Sequence, residues 1–245
     1  MHMRIIKLDA IDSTNTYLKK LSGGGNAEDG LTVVTSLQTN GRGQMGTVWS
    51  SQEAKNLTFS VFKDASFLNI KQHFYISMAV SLAVYEAVKS LGITKIKVKW
   101  PNDILSDDKK IAGILIENVI KLNVISGSVI GIGLNVNQTD FTGLPAASSL
   151  LLLSGHVNDL DEVLTIVLKQ IDIHFNYLKE KQFKILKARY ESHLFRKNKP
   201  STFKDAEGSI FSGYIVGISD FGQLMVKIED NIIRSFDFKE VVLLY

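Results

Sequence analysis

Two long β-rich runs in the middle of the chain constrain the fold most. Residues 110–119 and 122–137 are both rich in Ile, Val and other strand-forming residues, and they are nearly adjacent. Strands joined so closely pair as an antiparallel hairpin, because a parallel pair needs a crossover of about a dozen residues or more. We therefore expect a hairpin that turns near Lys121 and Asn123.

Strand patterns and amphipathic helices surround this hairpin. Between residues 95 and 100, lysines alternate with Ile96, Val98 and Trp100, as in a strand with one buried face. Apolar residues recur at helical spacing from 159 to 179. The strand patterns cover 4–8, 31–36, 56–62 and 95–100, and the helix patterns cover 13–21 with Asp12 or Ser13 as N-cap, 71–91, 159–179 and a segment from 183. The sequence predicts an α+β fold in which helices flank a mixed, mainly antiparallel sheet.

The composition changes after about residue 198. From Pro200 onwards, glycines separate short β-rich runs, and helical periodicity is absent from the sequence. We expect two domains, residues 1–197 and 198–245, of which the second is a small β-barrel. Residues 220–222 spell the DFG of protein kinases, but the segment before them carries no HRD-type catalytic loop, so a turn is the better interpretation.

Composition excludes several classes of protein. The 28 basic and 25 acidic side chains give a net charge of +3, which is too balanced for general nucleic-acid binding. The chain has no cysteine, and its five histidines are not spaced as metal ligands. No apolar run approaches the roughly 20 residues of a membrane span, and no signal-peptide segment is recognisable. We expect a soluble, cytoplasmic protein that binds no membrane and no transition metal.

The glycine-rich loop at residues 41–46 is a candidate for ligand binding. Its sequence, GRGQMG, fits GxGxxG, but Trp49 and a strand follow it where a dinucleotide-binding fold needs a helix. Glycines let backbone amides approach an anion, and the planar guanidinium of Arg42 suits a carboxylate or a phosphate. A plain flexible turn also explains the loop when it is taken alone.

Further candidate polar residues lie at two predicted strand boundaries. In the segment KWPND, residues 99–103, the proline restricts the turn from which Asn102 and Asp103 emerge. Lys110 enters a strand in which Gly113 allows close approach of a ligand or another backbone. Taken alone, the turn can be structural and Lys110 can be a solvated lysine.

The run VIGIGLNVN, residues 129–137, places two more glycines within a strand pattern. Gly131 and Gly133 again allow close approach, and Asn135 and Asn137 carry amides that can donate and accept hydrogen bonds. A strand that simply ends in a loop is the alternative interpretation.

Five motifs, taken together and in chain order, resemble the biotin protein ligase family. They are DSTN at 12–15, QTNGRGQMGTVW at 38–49, KWPND at 99–103, KKIAGILIE at 109–117 and GIGLNVN at 131–137. The resemblance implies a class II synthetase-like catalytic domain over residues 1–197 and an SH3-like domain over 198–245. It also implies an enzyme that makes biotinyl-5′-AMP from biotin and MgATP. The biotin would then pass to a lysine of a biotin carboxyl carrier protein or of a biotin-dependent carboxylase subunit.

The resemblance also implies roles for individual residues. The catalytic residues would be Lys110, Arg42 and Asp103, the two cations neutralising substrates that repel each other and Asp103 orienting the incoming lysine. The biotin-binding residues would be Ser13, Thr14, Asn15, Gln38, Gly41, Arg42, Lys110, Gly113 and Gly131. The residues that bind ATP and the adenylate would be Arg42, Gly43, Gln44, Trp49, Asn102, Lys110 and Asn135. The resemblance implies no tightly bound cofactor and no metal held by the protein alone.

One position departs from the family pattern, and several questions are left open. Many members read GRGRxG, and Gln44 replaces the second arginine. Glutamine does not neutralise a phosphate, so we expect weaker retention of the adenylate. Because the catalytic pattern begins at about Arg4, we expect neither a DNA-binding domain nor a repressor role. The sequence does not say which carrier is modified or whether a homodimer forms at an exposed sheet edge.

Two other functions compete with this interpretation. A lipoate protein ligase shares the fold and the adenylation chemistry, but its arginine and triple-glycine motif is not matched by Gly23 to Gly25, which follow a helix. A catalytically silent biotin-binding module would be expected to lose the cations, whereas Arg42 and Lys110 are both present.

Overall fold

The computed structural model describes residues 4–24, 27–122 and 124–245; Gly25 and Asn123 lie outside these ranges. The first of two sheets contains β1 (Ile5–Ile11), β2 (Thr32–Gln38), β3 (Leu57–Lys63), β4 (Ile96–Lys99), β5 (Asp103–Ser106), β6 (Lys109–Lys121) and β7 (Val124–Leu134). These strands lie in the order β1-β2-β3-β7-β6-β5-β4. The pairing of β1 with β2 is parallel and the other five pairings are antiparallel, so the predicted mixed, mainly antiparallel sheet is confirmed.

The predicted central hairpin is confirmed as β6 and β7. Their pairing runs from Ala112 opposite Leu134 to Lys121 opposite Val124. Strand β5 was not predicted, because its sequence DILS places two apolar residues next to each other and does not alternate. It lies between β4 and β6, with Ile104 opposite Ala112, and so completes the sheet beside the proline turn.

Five helices are present in the described ranges. They are α1 (Thr14–Gly23), α2 (Phe74–Ser90), α3 (Leu150–Ser154), α4 (Leu160–Lys179) and α5 (Phe183–Ser192). Helix α1 begins where the Ser13 side chain accepts a hydrogen bond from the Thr16 N–H, and Asp159 caps α4 in the same way. Helix α2 is apolar on almost every side because it packs between the sheet and α4. None of the helices in the described ranges is long and apolar enough to cross a membrane.

The second sheet is small and entirely antiparallel. It contains β8 (Pro200–Asp205), β9 (Ile210–Ile218), β10 (Leu224–Lys227), β11 (Ile233–Phe236) and β12 (Val241–Leu244), in the order β11-β10-β9-β8-β12. The DFG tripeptide at 220–222 lies in the turn between β9 and β10, as expected, and Gly222 has the positive φ of +92° that such a turn favours.

The two sheets meet at the KWPND segment. Trp100 Nε1 donates a hydrogen bond to the carbonyl oxygen of Gly222 at 2.8 Å, and its ring packs edge-on against Phe238 with centroids 5.2 Å apart. Lys99 Nζ contacts the hydroxyl of Tyr245 at 3.1 Å. The second sheet therefore holds the turn from which Asn102 and Asp103 emerge.

Candidate active site

One face of the seven-stranded sheet carries a cavity of about 560 Å³. Strands β6 and β7 form its floor, and the start of α1 and the glycine-rich loop form one side. The 99–103 turn and residues 238–243 of the second sheet form the other side. Its volume lies within the range of about 300 to 1,000 Å³ that is usual for small-molecule sites.

A row of aligned residues crosses the floor of the cavity. Asp103 lies opposite Gly113, Gly113 opposite Gly133, and Gly133 opposite Thr58 on the next strand. Residues opposite one another in antiparallel strands point to the same face, so the Asp103 side chain shares a face with the two glycines. A Cβ on Gly133 would lie 2.2 Å from Cε2 of Trp49, and one on Gly113 would lie 3.2 Å from Cζ3 of the same ring. The glycines are therefore what allows Trp49 to lie on the floor.

Polar side chains around Gly131 form the other end of the floor. A Cβ on Gly131 would lie 2.3 Å from Oδ1 of Asn15. The Ser60 hydroxyl lies 2.5 Å from Asn15 Oδ1 and 2.7 Å from the Thr14 hydroxyl. Gln38 Oε1 accepts hydrogen bonds from the Thr14 N–H at 2.9 Å and the Thr14 hydroxyl at 3.2 Å. The amides at this end are thus fixed before any ligand arrives.

Two donors at this end are left for a ligand. The amide nitrogen of Gln38 has no hydrogen-bond partner within the described part of the chain, and its oxygen is already used by Thr14. The Ser13 hydroxyl accepts from the Thr16 N–H at 3.4 Å, so its own hydrogen can be donated. Both residues line the cavity, which suits a ligand with a carbonyl oxygen at this end.

The glycine-rich loop folds back on itself and places Trp49. The Gly43 N–H donates to the Thr47 carbonyl at 2.7 Å, and the Trp49 N–H donates to the Gly41 carbonyl at 3.0 Å. A Cβ on Gly41 would lie 2.2 Å from the Trp49 carbonyl oxygen. Gly41 is therefore needed for the close approach of the two sides of the loop. Gln44 begins the single 3-10 turn at its tip.

Arg42 is held by a carboxylate in β6. Its Nη2 donates to Glu117 Oε2 at 3.0 Å, and the same carboxylate accepts from Asn15 and Lys19. Burial alone would raise the pKa of Glu117. The hydrogen bonds from Asn15 and Lys19 and the charge of Arg42 outweigh burial and lower that pKa. The guanidinium that is expected to contact the substrates is therefore paired with a carboxylate.

Lys110 and Asp103 form the second ion pair of the cavity. Lys110 Nζ lies 2.7 Å from Asp103 Oδ1 and 5.7 Å from the centre of the Trp49 ring. Asn102 exchanges two hydrogen bonds with Ile114, which fixes the turn next to Asp103. The Lys110 ammonium therefore lies between a carboxylate and an aromatic ring, at the edge of the cavity where a phosphate could bind.

Known proteins are similar to this chain over the segment that contains most of these residues. The sequence profile of the Biotin/lipoate A/B protein ligase family matches residues 8–135, more than half of the chain. A bifunctional ligase/repressor BirA of Bacillus spizizenii is 30% identical over 240 residues, which cover 96% of this chain and 73% of that protein. The chain belongs to the biotin/lipoate A/B protein ligase family.

Relatives within the family also share the fold. A biotin protein ligase from Aquifex aeolicus, solved in complex with biotin and ATP, has a TM-score of 0.82 and 31% identity, covering 99% of both chains. A biotin--[acetyl-CoA-carboxylase] ligase of Mycobacterium tuberculosis is 32% identical over 163 residues, 65% of this chain and 59% of that protein. These comparisons confirm the resemblance that five short motifs predicted.

Most of the predicted residues of this biotin/lipoate ligase line one cavity. They are Ser13, Thr14, Asn15, Gln38, Arg42, Gly43, Gln44, Trp49, Asn102, Asp103, Lys110, Gly113 and Gly131. Gly41 is absent from the lining because it packs against the Trp49 backbone. Asn135 is also absent and is buried. Its Nδ2 donates to the Ser148 carbonyl at 3.0 Å, so its amide ties two loop segments together, and its contact with an adenylate stays a prediction.

Several residues of the ligase site were not predicted. Ser60 of β3 and Glu117 of β6 form hydrogen bonds with the predicted residues Asn15 and Arg42. Gly133 of β7 makes room for the Trp49 ring. Glu117 ends the motif KKIAGILIE and Gly133 lies within GIGLNVN, so both belong to motifs that are typical of the family. Lys239, in the turn between β11 and β12, lines the same cavity, and no motif in the local sequence indicates it.

Proposed function

We propose that this protein is an ATP-dependent ligase that activates biotin as biotinyl-5′-AMP and transfers it to the acceptor lysine of a biotin carrier domain. The observation that carries the proposal is the arrangement of one continuous cavity. Free donors of Ser13 and Gln38 lie at one end, Trp49 lies on the floor, and the Lys110–Asp103 pair lies beside it. The relatives named as biotin ligases support the same function.

In the first step, a carboxylate oxygen of biotin attacks the α-phosphorus of ATP, and pyrophosphate leaves with the bridging oxygen. Two anions must come together, so fixed positive charge is the main requirement of the site. Lys110 supplies it when its ammonium exchanges Asp103 for a phosphate oxygen. Arg42 supplies a second cation from the glycine-rich loop.

ATP would enter as its magnesium complex. Mg²⁺ is usually held by substrate phosphates together with one or two carboxylates, and it neutralises the phosphates as they separate. Asp103 lines the cavity and is the carboxylate that fits this use. Mg²⁺ would therefore arrive with ATP, and the protein would supply at most one ligand to it.

In the second step, the neutral ε-amine of a carrier lysine attacks the carbonyl carbon of the mixed anhydride. The new amide bond forms, AMP leaves with the phosphate oxygen, and the amine gives up a proton. We assign Asp103 to orient this amine and to accept the proton. The glycine-rich loop would close over the anhydride and limit its hydrolysis.

The protein partner is a biotin carboxyl carrier protein or a carboxylase subunit, and the work is done in the cytoplasm, where ATP is abundant. The near balance of charge, +3 overall, supports action without specific DNA binding. A homodimer would form along β1 or β4, the outer strands of the larger sheet. The catalytic domain is proposed to span residues 1–197 and the SH3-like domain 198–245.

Exchange of labelled pyrophosphate into ATP tests the first step without a carrier. We expect exchange that depends on biotin and Mg²⁺ and that is lost without either. Exchange supported by lipoate and not by biotin would identify a lipoate ligase. Biotin binding by calorimetry without any exchange would identify a silent binding module.

A further inference from the structure

Three side chains from different parts of the chain donate hydrogen bonds to the Glu117 carboxylate. Its carboxylate accepts hydrogen bonds from Asn15 Nδ2 at 3.0 Å, Lys19 Nζ at 3.2 Å and Arg42 Nη2 at 3.0 Å. Asn15 and Lys19 belong to α1, Arg42 belongs to the glycine-rich loop, and Glu117 belongs to β6. The carboxylate therefore joins a helix, a loop and the sheet at one point.

The Glu117 carboxylate is well placed to keep these partners in position. Its side chain is 20% exposed, against 43% for Arg42 and 53% for Lys19. Ion pairs that are partly shielded from solvent stabilise a fold more than fully exposed ion pairs do. Two cations and one amide share a single anion, so loss of the anion would leave Arg42 and Lys19 facing each other without compensation.

Glu117 is separated from the reacting centre. Side chains on one face of a strand are two residues apart, so Gly113, Leu115 and Glu117 share the face that carries the cavity. Glu117 lies four residues beyond Gly113, or about 13 Å along β6. Lys110 and Asp103 lie at the Gly113 end, whereas Asn15 lies over Gly131. A change at Glu117 therefore acts first on the polar end of the cavity.

We infer that Glu117 is a positioning residue for biotin: it fixes Asn15 and Arg42, and so shapes the end of the cavity that receives the head group. The inference rests on the proposed function, because it concerns affinity for biotin. Without the carboxylate, Asn15 Nδ2 keeps only the Leu115 carbonyl, at the longer distance of 3.3 Å, within the described chain. Arg42 then loses its ion pair with β6, and the glycine-rich loop loses this attachment to the sheet.

The test replaces the charge and keeps the shape. For Glu117→Gln, we expect the Kd for biotin, measured by calorimetry, to rise about tenfold, because charge-assisted hydrogen bonds are lost. We expect kcat for pyrophosphate exchange at saturating biotin to fall by a smaller factor than the Kd rises, because the Lys110–Asp103 pair is intact and Arg42 is still present, although its guanidinium is no longer held by a carboxylate. A purely structural role would lower thermal stability without this division between Kd and kcat.

Glu86→Gln is the matched control. Glu86 accepts from Arg189 at 2.8 Å, with side chains 25% and 32% exposed, and both residues lie outside the cavity lining. This control should lose comparable thermal stability and leave the Kd for biotin unchanged. Arg42→Met removes the other partner of the Arg42–Glu117 ion pair, and Arg42 is the more exposed of the two residues. It should raise the Kd by a similar factor, and adding Glu117→Gln to it should change the Kd by no more than about threefold.

The outcomes separate this inference from the proposed function. If wild-type protein binds biotin and both Glu117→Gln and Arg42→Met bind it equally well, the inference is overturned and the ligase proposal stands. A fall in kcat at unchanged Kd would overturn it as well. Wild-type protein that binds no biotin would overturn the proposed function and this inference with it.

Discussion

Lys110 Nζ lies 2.7 Å from Asp103 Oδ1, and the two residues belong to neighbouring strands of the cavity floor. The Lys110 backbone is held on both sides, since its N–H donates to the Ala146 carbonyl at 2.7 Å and its carbonyl accepts from the Ser148 N–H at 2.9 Å. The ammonium can therefore exchange Asp103 for a substrate phosphate by rotation of the side chain alone. The resting ion pair keeps the cation in place until the substrates bind.

Gly133→Ala should damage the site through Trp49. The added Cβ would lie 2.2 Å from Cε2 of the indole on a backbone paired on both sides, so the ring must move. Overpacking of this kind costs about 1 to 3 kcal/mol, which urea unfolding would measure, and biotin-dependent exchange should fall with it. Gly23→Ala is the control, because a Cβ there meets no described atom within 4 Å. Equal activity of the two variants would contradict the role given to the glycine floor.

Gln44→Arg should slow the release of the adenylate. The Gln44 carbonyl accepts from the Thr47 N–H at 3.1 Å and the Thr47 hydroxyl at 2.7 Å, so the loop is fixed by its backbone and not by the Gln44 side chain. An arginine adds a cation that can bind the phosphate, and we expect dissociation to slow about tenfold. Rapid filtration of preformed, labelled complex measures this rate. The same rate in both proteins would show that position 44 does not control retention.

Lys63→Ala should destabilise the protein without touching the site. Lys63 is 2% exposed and pairs with Asp29 at 2.9 Å and Asp172 at 3.0 Å. Removing the cation leaves two carboxylates without compensation, which should cost about 3 kcal/mol in urea unfolding. Lys7→Met, which breaks an exposed pair with Asp161, should cost less than about 1 kcal/mol. Similar losses in both variants would mean that the Lys63 pairs are worth no more than surface pairs.

The stabilising contribution of Glu117 should depend on pH. Its pKa is lowered from the ordinary value of 4.5, so the folded state binds the proton less readily than the unfolded chain. The stability is therefore fully present above about pH 5.5 and is lost as the pH falls through the lowered pKa. We expect the difference in unfolding free energy between wild type and Glu117→Gln to shrink as the pH falls below the ordinary pKa of 4.5 and through the lowered pKa of the folded state. A difference that stays constant over this range would contradict the charged role of Glu117.

Local patterns were sufficient to predict most of the fold. The central hairpin, the cap at Ser13 and the helix from 160 to 179 follow from periodicity and capping, which depend on neighbouring residues. Strand β5 was not predicted because its sequence DILS does not alternate, and its place is set by pairing on both sides.

Contacts between distant segments limited the prediction of the site. Ser60 bonds to Asn15, 45 residues away, and Glu117 bonds to Arg42, 75 residues away. No periodic pattern encodes such contacts. The partner of Asn135 is also distant in the chain, because its Nδ2 donates to the Ser148 carbonyl on a later loop.

Transfer of biotin to a carrier lysine is tested most directly by intact mass spectrometry. The protein is incubated with biotin, MgATP and a carrier domain that has one acceptor lysine, in parallel with its Lys110→Ala variant. We expect the carrier to gain the mass of one biotinyl group, and the variant to be slower by at least about 100-fold, because a fixed cation at the reacting centre is lost. An unchanged carrier mass with several different carriers, from protein that still binds biotin, would contradict the ligase function.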